Sequence, residues 1–305
     1  MVSNRDWVTP PKFEPLQYRL RDAVDGPHPY TGHQKLGVQF TPDACSLPLE
    51  TSSTCVSGIG AVKSTTGSLP NRGADSFVVY TWLDCTLVGL GPNEVEELKA
   101  RTLRAHANNA QTIVEYVFWT GGAFNTVQHL AEDTAITETV GGSTVNLQTA
   151  ATVIVTGAVD VVEAIGRLEA SMGVCYGGTP LIHVPRMATA HLAANNLLKE
   201  KGPLLRTAGN GSIVIPAPGY TGSAPTGILP PVGSGIRWFY ATGSVKMLQS
   251  EPAFTSGTAA ELLGRSTNDS VLLVEQRFTF MWDCCHFAIP VYLGGVITGT
   301  VRSAT

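Results

Sequence analysis

The feature that most constrains the fold is a long apolar run near the C-terminus, residues 271–293, which reads VLLVEQRFTFMWDCCHFAIPVYL. The run is long enough to cross a membrane as a helix, but Glu275, Arg277 and Asp283 would each be costly in hydrocarbon, and Pro290 would break the last turn. Its β-branched and aromatic residues instead favour two buried strands that meet near residues 283–286. The chain must therefore supply a core that covers two long strands.

The charge composition excludes tight binding to nucleic acid through phosphate neutralisation. Only 14% of the 305 residues are charged and the formal net charge is −4, so the chain has no basic surface. The N-terminal sequence MVSNRDWVTPP lacks the apolar segment of a signal peptide, which predicts synthesis and folding in the cytosol. The same compartment predicts reduced, mostly buried thiols for all six cysteines: Cys45, Cys55, Cys85, Cys175, Cys284 and Cys285.

Three helices are predicted from apolar periodicity and terminal residues. The longest predicted helix spans residues 92–119, because a proline suits its first turn and two glycines follow its end. Its residues at steps of three or four form a stripe that is predicted to face the core: Val95, Leu98, Thr102, His106, Ala110, Ile113 and Val117. A second helix is predicted over 157–172, before Gly173. A third is predicted from Pro185 to the terminating Gly202.

The rest of the chain is predicted to be strands, loops and an arm. Strand patterns occupy 76–90, 181–184, 204–207 and 212–217, and the segments GIRWFYATG and SVKMLQSE are predicted to pair across a tight turn at Thr242 and Gly243. Residues 1–40 show no sustained period and are predicted to be an extended arm. Residues 51–76 are rich in Gly, Ser and Thr and cannot bury a core of their own. The order of elements predicts an α+β fold.

No pattern predicts a cofactor, a metal or a catalytic centre. GIGAVKST (58–65) has Val62 where a phosphate loop needs the glycine before Lys63, and GLGPNE (89–94) is predicted to be a plain strand-to-helix turn. Cys175 is the best candidate nucleophile, with His183 and His191 as possible bases, although a buried structural thiol is favoured. Pro185 separates these two histidines, and the neighbours Cys284, Cys285 and His286 alternate in direction, so neither group predicts a metal site.

Taken in order, several segments resemble the major capsid proteins of tailed bacteriophages that infect actinobacteria. The resemblance covers about residues 75–295 and rests on SFVVYTWLDCTLVGL, VEYVFWTGG, RLEASMGVCYGGTPLIHVPRMATAHL, APGYTGSAPTG, WFYATGSVKM and RSTNDSVLLVEQRFTFMWDCCHFAIPVYL. Each segment alone is weakly specific, and the specificity lies in their order and spacing. This family has the Hong Kong 97-type capsid fold.

The resemblance implies a division of the chain into the parts of that fold. Residues 1–40 would be the N-terminal arm and 41–76 the extended loop. Residues 77–122, with a spine helix over 92–119, would begin the peripheral domain, which 236–284 would complete. The remaining segments, 123–235 and 285–305, would form the axial domain and the C-terminus.

The function that the resemblance implies is self-assembly, in pentamers and hexamers, into the icosahedral shell that encloses the double-stranded DNA of a tailed phage. The expected location is the virion capsid, after assembly in the bacterial host cytoplasm, with no catalysis, no membrane and no sequence-specific contact to DNA. Portal and decoration proteins are candidate partners, and because Met1 directly precedes the arm, scaffolding is expected to be separate or dispensable. Lys63 and Asn268 are the nearest candidates for the isopeptide crosslink of some relatives.

Two other functions stay open on the sequence. An encapsulin-type nanocompartment would share the fold but enclose cargo protein in place of DNA. A cytosolic thiol hydrolase would use Cys175 as nucleophile and His183 as base.

Overall fold

The structure is a computed structural model that describes residues 14–31, 34, 37–40, 72–86, 92–122, 127–132, 134–140, 143–148, 150–254, 263–264, 269–282 and 285–294. These residues form four helices: α1 (Leu20–Ala23), α2 (Pro92–Thr120), α3 (Val161–Cys175) and α4 (Ala188–Ala194). None of the described helices is long and apolar enough to cross a membrane.

The strands of the described residues are β1 (Asp25–Pro29), β2 (Gly37–Phe40), β3 (Arg72–Asp75), β4 (Phe77–Thr86), β5 (Ile136–Val140), β6 (Ser143–Gln148), β7 (Thr152–Val153), β8 (Leu181–Pro185), β9 (Leu198–Lys201), β10 (Leu204–Thr207), β11 (Ile213–Ala217), β12 (Ile236–Thr242), β13 (Val245–Gln249), β14 (Ala253–Phe254), β15 (Leu263–Gly264), β16 (Asp269–Trp282) and β17 (His286–Tyr292). The mixture of helices and strands confirms the α+β prediction.

The strands pair into three sheets. A seven-stranded sheet has the order β7-β17-β12-β8-β11-β10-β9, and a four-stranded sheet has the order β2-β3-β6-β5. In the six-stranded sheet, β16 pairs with β4, β13, β14 and β15, and β13 pairs with β1. The C-terminal apolar run thus supplies one strand to each of the two larger sheets, which confirms the prediction of two buried strands.

The long helix α2 packs against the six-stranded sheet. Its inward stripe includes Thr102, His106, Ala110, Val114 and Val117, and the ring of Phe118 lies 4.8 Å from that of Phe280 and 5.2 Å from that of Trp282. The helix ends before Gly121, whose φ of +74° is costly for other residues. The predicted span is confirmed, except that Ile113 is 49% exposed and Val114 takes the buried position.

The third predicted helix is wrong in its second half. Helix α4 ends at Ala194, and Asn196 has a positive φ of 54°, which turns the chain out of the helix. Residues 198–201 then pair with β10 as the edge strand β9. The sequence of β9 is LKEK, and its charged side chains suit both a helix and an exposed sheet edge. Pairing with β10 therefore determines that this segment forms a strand.

The predicted hairpin at Thr242 and Gly243 is also wrong. Strand β12 pairs with β8 and β17 in the seven-stranded sheet, whereas β13 pairs with β16 and β1 in the six-stranded sheet. The chain passes from one sheet to the other at this point, because each segment finds a longer partner elsewhere than in its neighbour.

Candidate assembly surface

The predicted nucleophile Cys175 does not carry a free thiol in this structure. Its sulfur is bonded to that of Cys285, with the two Cα atoms 5.9 Å apart, although 110 residues separate them in sequence. The prediction that all six cysteines are reduced is therefore wrong for this pair, because the fold brings the end of α3 beside the start of β17. The side chains of Cys45, Cys55, Cys85 and Cys284 lie outside the described part of the structure.

The predicted base His183 is fully buried between two hydroxyl groups. The Thr242 hydroxyl donates its proton to the carbonyl oxygen of Gly243 at 3.0 Å, so its oxygen accepts the hydrogen bond from His183 Nε2 at 2.9 Å. His183 Nδ1 then carries no proton and accepts from the Tyr220 hydroxyl at 3.0 Å. Burial first, and then the nearby His286, lowers the pKa of His183 to about 3. A neutral imidazole in this setting is a structural group, and the thiol-hydrolase alternative has no support.

The other sequence candidates yield no site among the described residues. No group of three metal-ligating side chains occurs there, and His191 lies on α4. The motif GIGAVKST and both crosslink candidates, Lys63 and Asn268, fall outside the described residues. The turn in GLGPNE is described only from Pro92, where α2 begins.

The outer face of β4 carries two large exposed aromatic side chains. Phe77 and Val79 are buried against α2, and Thr81 Oγ1 lies 2.9 Å from His106 Nδ1 on the same helix. Because strand residues alternate between faces, Tyr80 and Trp82 point to the other side, where they are 61% and 56% exposed. We call Tyr80 and Trp82 the aromatic face.

A second exposed apolar group lies on the loop between β11 and β12. The segment ILPPV at 228–232 contains Ile228, Leu229 and Val232, with relative exposures of 68%, 58% and 104%. Gly227 and Gly233, with φ of +73° and +83°, flank it. We call residues 228–232 the apolar loop. The described residues bury neither group, and clustered exposed apolar side chains are of the kind that marks protein–protein contact.

The N-terminal segment is fixed to α2 by a buried ion pair. Arg19 Nε donates to Glu115 Oε1 at 3.0 Å and Arg19 Nη2 donates to Thr112 Oγ1 at 2.6 Å, while Glu115 is fully buried. Burial raises the pKa of Glu115, and the Arg19 guanidinium opposes that shift. The Gly219 amide also donates to Glu115 at 3.3 Å, and a Cβ on Gly219 would lie 2.4 Å from the Thr112 carbonyl oxygen. Three separate segments therefore meet at this carboxylate.

Sequence reasoning missed both the ion pair and the aromatic face. The signal for the aromatic face was present, since Tyr80 and Trp82 alternate with the residues that α2 covers. The partner of Glu115 lies 96 residues away, in a segment without periodicity, so no local signal existed.

Comparison with known proteins is informative at the level of structure. No protein-family model and no curated protein sequence matches the chain. A solved structure from Gordonia phage Cozz aligns with a TM-score of 0.52 and 10% identity, over 96% of this chain and 92% of that one. The capsid of an empty GTA particle aligns with a TM-score of 0.50 and 10% identity, over 93% of this chain and 100% of that one.

An encapsulin, from the holo-SrpI complex of Synechococcus elongatus, aligns with a TM-score of 0.46 and 12% identity, over 79% of this chain and 83% of that one. Identities this low establish the fold alone. The chain therefore has the α+β fold of the Gordonia phage Cozz chain and of the GTA particle capsid.

Proposed function

We propose that the chain is a major capsid protein that self-assembles into the icosahedral shell around the double-stranded DNA of a tailed phage. The observation that carries the proposal is the likeness to the GTA particle capsid, which extends over 93% of this chain and all of that one. The role is structural and needs no catalysis.

The composition of the surface supports assembly. The aromatic face and the apolar loop offer large side chains that are exposed among the described residues, and a second copy of this chain is the partner that a shell supplies. Burying one such aromatic side chain contributes about 1.5–3 kcal/mol. The contribution per contact is modest, but a closed shell repeats it in every copy.

The sheets support a proposed division into domains. The six-stranded sheet and α2 would form the peripheral domain, and the seven-stranded sheet would form the axial domain. The consecutive strands β16 and β17 lie in different sheets, which fits a domain boundary between them. Strand β12 lies in the seven-stranded sheet, so we place the boundary at Gly243 instead of residue 236. Residues 1–40 and 41–76 stay proposed as the arm and the extended loop; of the arm, α1 and β1 pack on their own chain.

The mildly acidic net charge of −4 fits a container for DNA. A shell lining with the same acidic balance would bind the phosphate backbone weakly, so that DNA could slide during packaging and release. We propose a location in the virion, with assembly in the host cytoplasm. Scaffolding, portal and decoration partners, and a crosslink between Lys63 and Asn268, stay predictions.

Sedimentation of the purified protein tests the proposed function. We expect megadalton particles, or capsomers that convert to them, and nuclease-protected DNA in particles from infected cells. Protected cargo protein without DNA would favour the encapsulin-type compartment. A monomer that persists at high concentration, and yields no particles when produced with the neighbouring phage proteins, would contradict both.

The aromatic face has its own test. The double variant Tyr80→Ser/Trp82→Ser is expected to lose most of its particle yield, while the unfolding free energy of the subunit changes by only about 1 kcal/mol because both sites are largely exposed. The matched control Tyr80→Phe/Trp82→Phe keeps an aromatic ring at both positions and most of the apolar area, and it is expected to assemble. Normal particle yield from the serine variant would show that this face is not part of the shell contact.

A further inference from the structure

Two short connections lead the chain directly from one of its larger sheets to the other, and these two crossings lie side by side. The first crossing is Gly243 and Ser244, between β12 and β13; the second lies between β16 and β17, and its described residue is Cys285. Thr242 pairs with His286 on one side of the crossings, and Val245 pairs with Trp282 on the other. The four strands therefore form one antiparallel ribbon that continues from the seven-stranded sheet into the six-stranded sheet.

The end of α3 contacts both crossings through two consecutive residues. Cys175 is bonded to Cys285 in the second crossing. The backbone amide of Ser244, in the first crossing, donates to the Tyr176 hydroxyl at 3.1 Å. The Tyr176 ring lies so close to Gly243 that a Cβ there would be 2.7 Å from it. Because α3 packs in the core of the seven-stranded sheet, these contacts tie both crossings to that sheet.

We propose that the Cys175–Cys285 pair is a reversible redox lock on the crossings between the two sheets. In the dithiol form only noncovalent contacts hold the end of α3 to the crossings, and the ribbon is free to bend there. In the disulfide form the second crossing is covalently fixed to α3. The lock is a property of the single chain, so it goes beyond the proposed shell function and does not depend on it.

The difference in burial between the two cysteines determines the order of the two thiol–disulfide exchange steps. Cys175 is partly exposed, whereas Cys285 is fully buried. A small-molecule disulfide is the oxidant: the Cys175 thiolate attacks one of its sulfurs and releases the first thiolate. The Cys285 thiolate then attacks the Cys175 sulfur and releases the second. Two protein thiols are oxidised, one small disulfide is reduced to two thiols, and dithiothreitol reverses the reaction.

The experiment uses the full-length protein purified with reductant. We expect both cysteines to be alkylated when this form is denatured in the presence of the alkylating reagent, because Cys285 is buried in the folded protein. After treatment with oxidised glutathione, we expect a peptide containing Cys175 linked to one containing Cys285. Hydrogen exchange at the Ser244 amide should be slower in the oxidised protein, and the midpoint of thermal unfolding should rise by roughly 5–10 °C.

Two serine variants separate this pair from its neighbours. Cys285→Ser is expected to lose the linked peptide and to show no response to glutathione at Ser244. The adjacent variant Cys284→Ser is the matched control and should keep both. The comparison of reduced with oxidised wild type needs neither variant, so it stands if a variant fails to fold.

Either of two results would overturn the inference. The link between Cys175 and Cys285 could resist reduction in the native protein, in which case it is a permanent bond and not a switch. The Ser244 amide could exchange equally fast in both forms, in which case the bond does not restrain the crossings. A failure to form particles bears only on the proposed function.

Discussion

Replacing Arg19 with alanine is expected to lower the unfolding free energy of the subunit by about 3–5 kcal/mol near neutral pH. The substitution leaves the Glu115 carboxylate, which is 0% exposed, without its guanidinium partner. The remaining backbone donors, such as the Gly219 amide at 3.3 Å, cannot replace a buried positive charge. Urea unfolding of the unassembled subunit measures the difference.

Lower pH should restore part of the stability of the Arg19→Ala variant. Burial raises the pKa of Glu115, so in the variant the folded state takes up a proton at this carboxyl more readily than the unfolded state. The stability attributable to Glu115 therefore increases as pH falls through the folded-state pKa. Arg21→Ala is the control, because Arg21 is exposed on the same short helix and its loss should change stability by about 0.5 kcal/mol or less. Equal effects of the two substitutions would contradict the importance of the ion pair.

Acid should destabilise the subunit through His183. The unfolded chain protonates this histidine near its ordinary pKa of 6.5, whereas the folded chain does so only at about 3. The stability contribution of the neutral imidazole is complete above pH 6.5 and is lost as pH falls towards 3, by an amount on the order of 4–5 kcal/mol. Burial also lowers the pKa of His106 and His129, which act in the same direction.

The variant His183→Gln isolates the contribution of this one histidine. Glutamine can still donate to Thr242 and accept from Tyr220, so we expect a cost of about 1–3 kcal/mol at neutral pH. Its stability should then fall less steeply than that of the wild type between pH 6.5 and 3. Parallel pH profiles for the two proteins would show that His183 is not responsible, since the contributions of all other groups cancel in the comparison.

The elements that local pattern determines were predictable from sequence. Helix α2 was located because proline, the apolar stripe and two glycines all agree, and the strands of the C-terminal run were located by their β-branched and aromatic residues. The secondary structure of residues 198–201 was not predictable, because the sequence LKEK has no helix or strand preference that outweighs pairing with β10. The register of β12 and β13 depends on strands far along the chain, so their adjacency in sequence was misleading.

The residues of the candidate surface and of the buried contacts also divide into those that the sequence indicates and those that it does not. Tyr80 and Trp82 could have been identified, since their alternation with buried neighbours is visible in the sequence. Arg19 with Glu115, and Cys175 with Cys285, could not, because each pair joins segments that only the complete fold brings together. The resemblance to phage capsid proteins implied the fold that this chain shares with solved capsid structures, and only the structure supplied these contacts.

The position of β16 has a consequence for synthesis of the chain. Strand β4 has its only extended pairing with this strand, from Phe77 opposite Phe278 to Thr86 opposite Asp269, among the described residues. Strand β17, in turn, lies between β7 and β12 in the other large sheet. Neither sheet is complete until β16 and β17 have left the ribosome. A chain that ends before β16 lacks an interior strand of each large sheet, so the neighbouring strands are left with unpaired backbone groups.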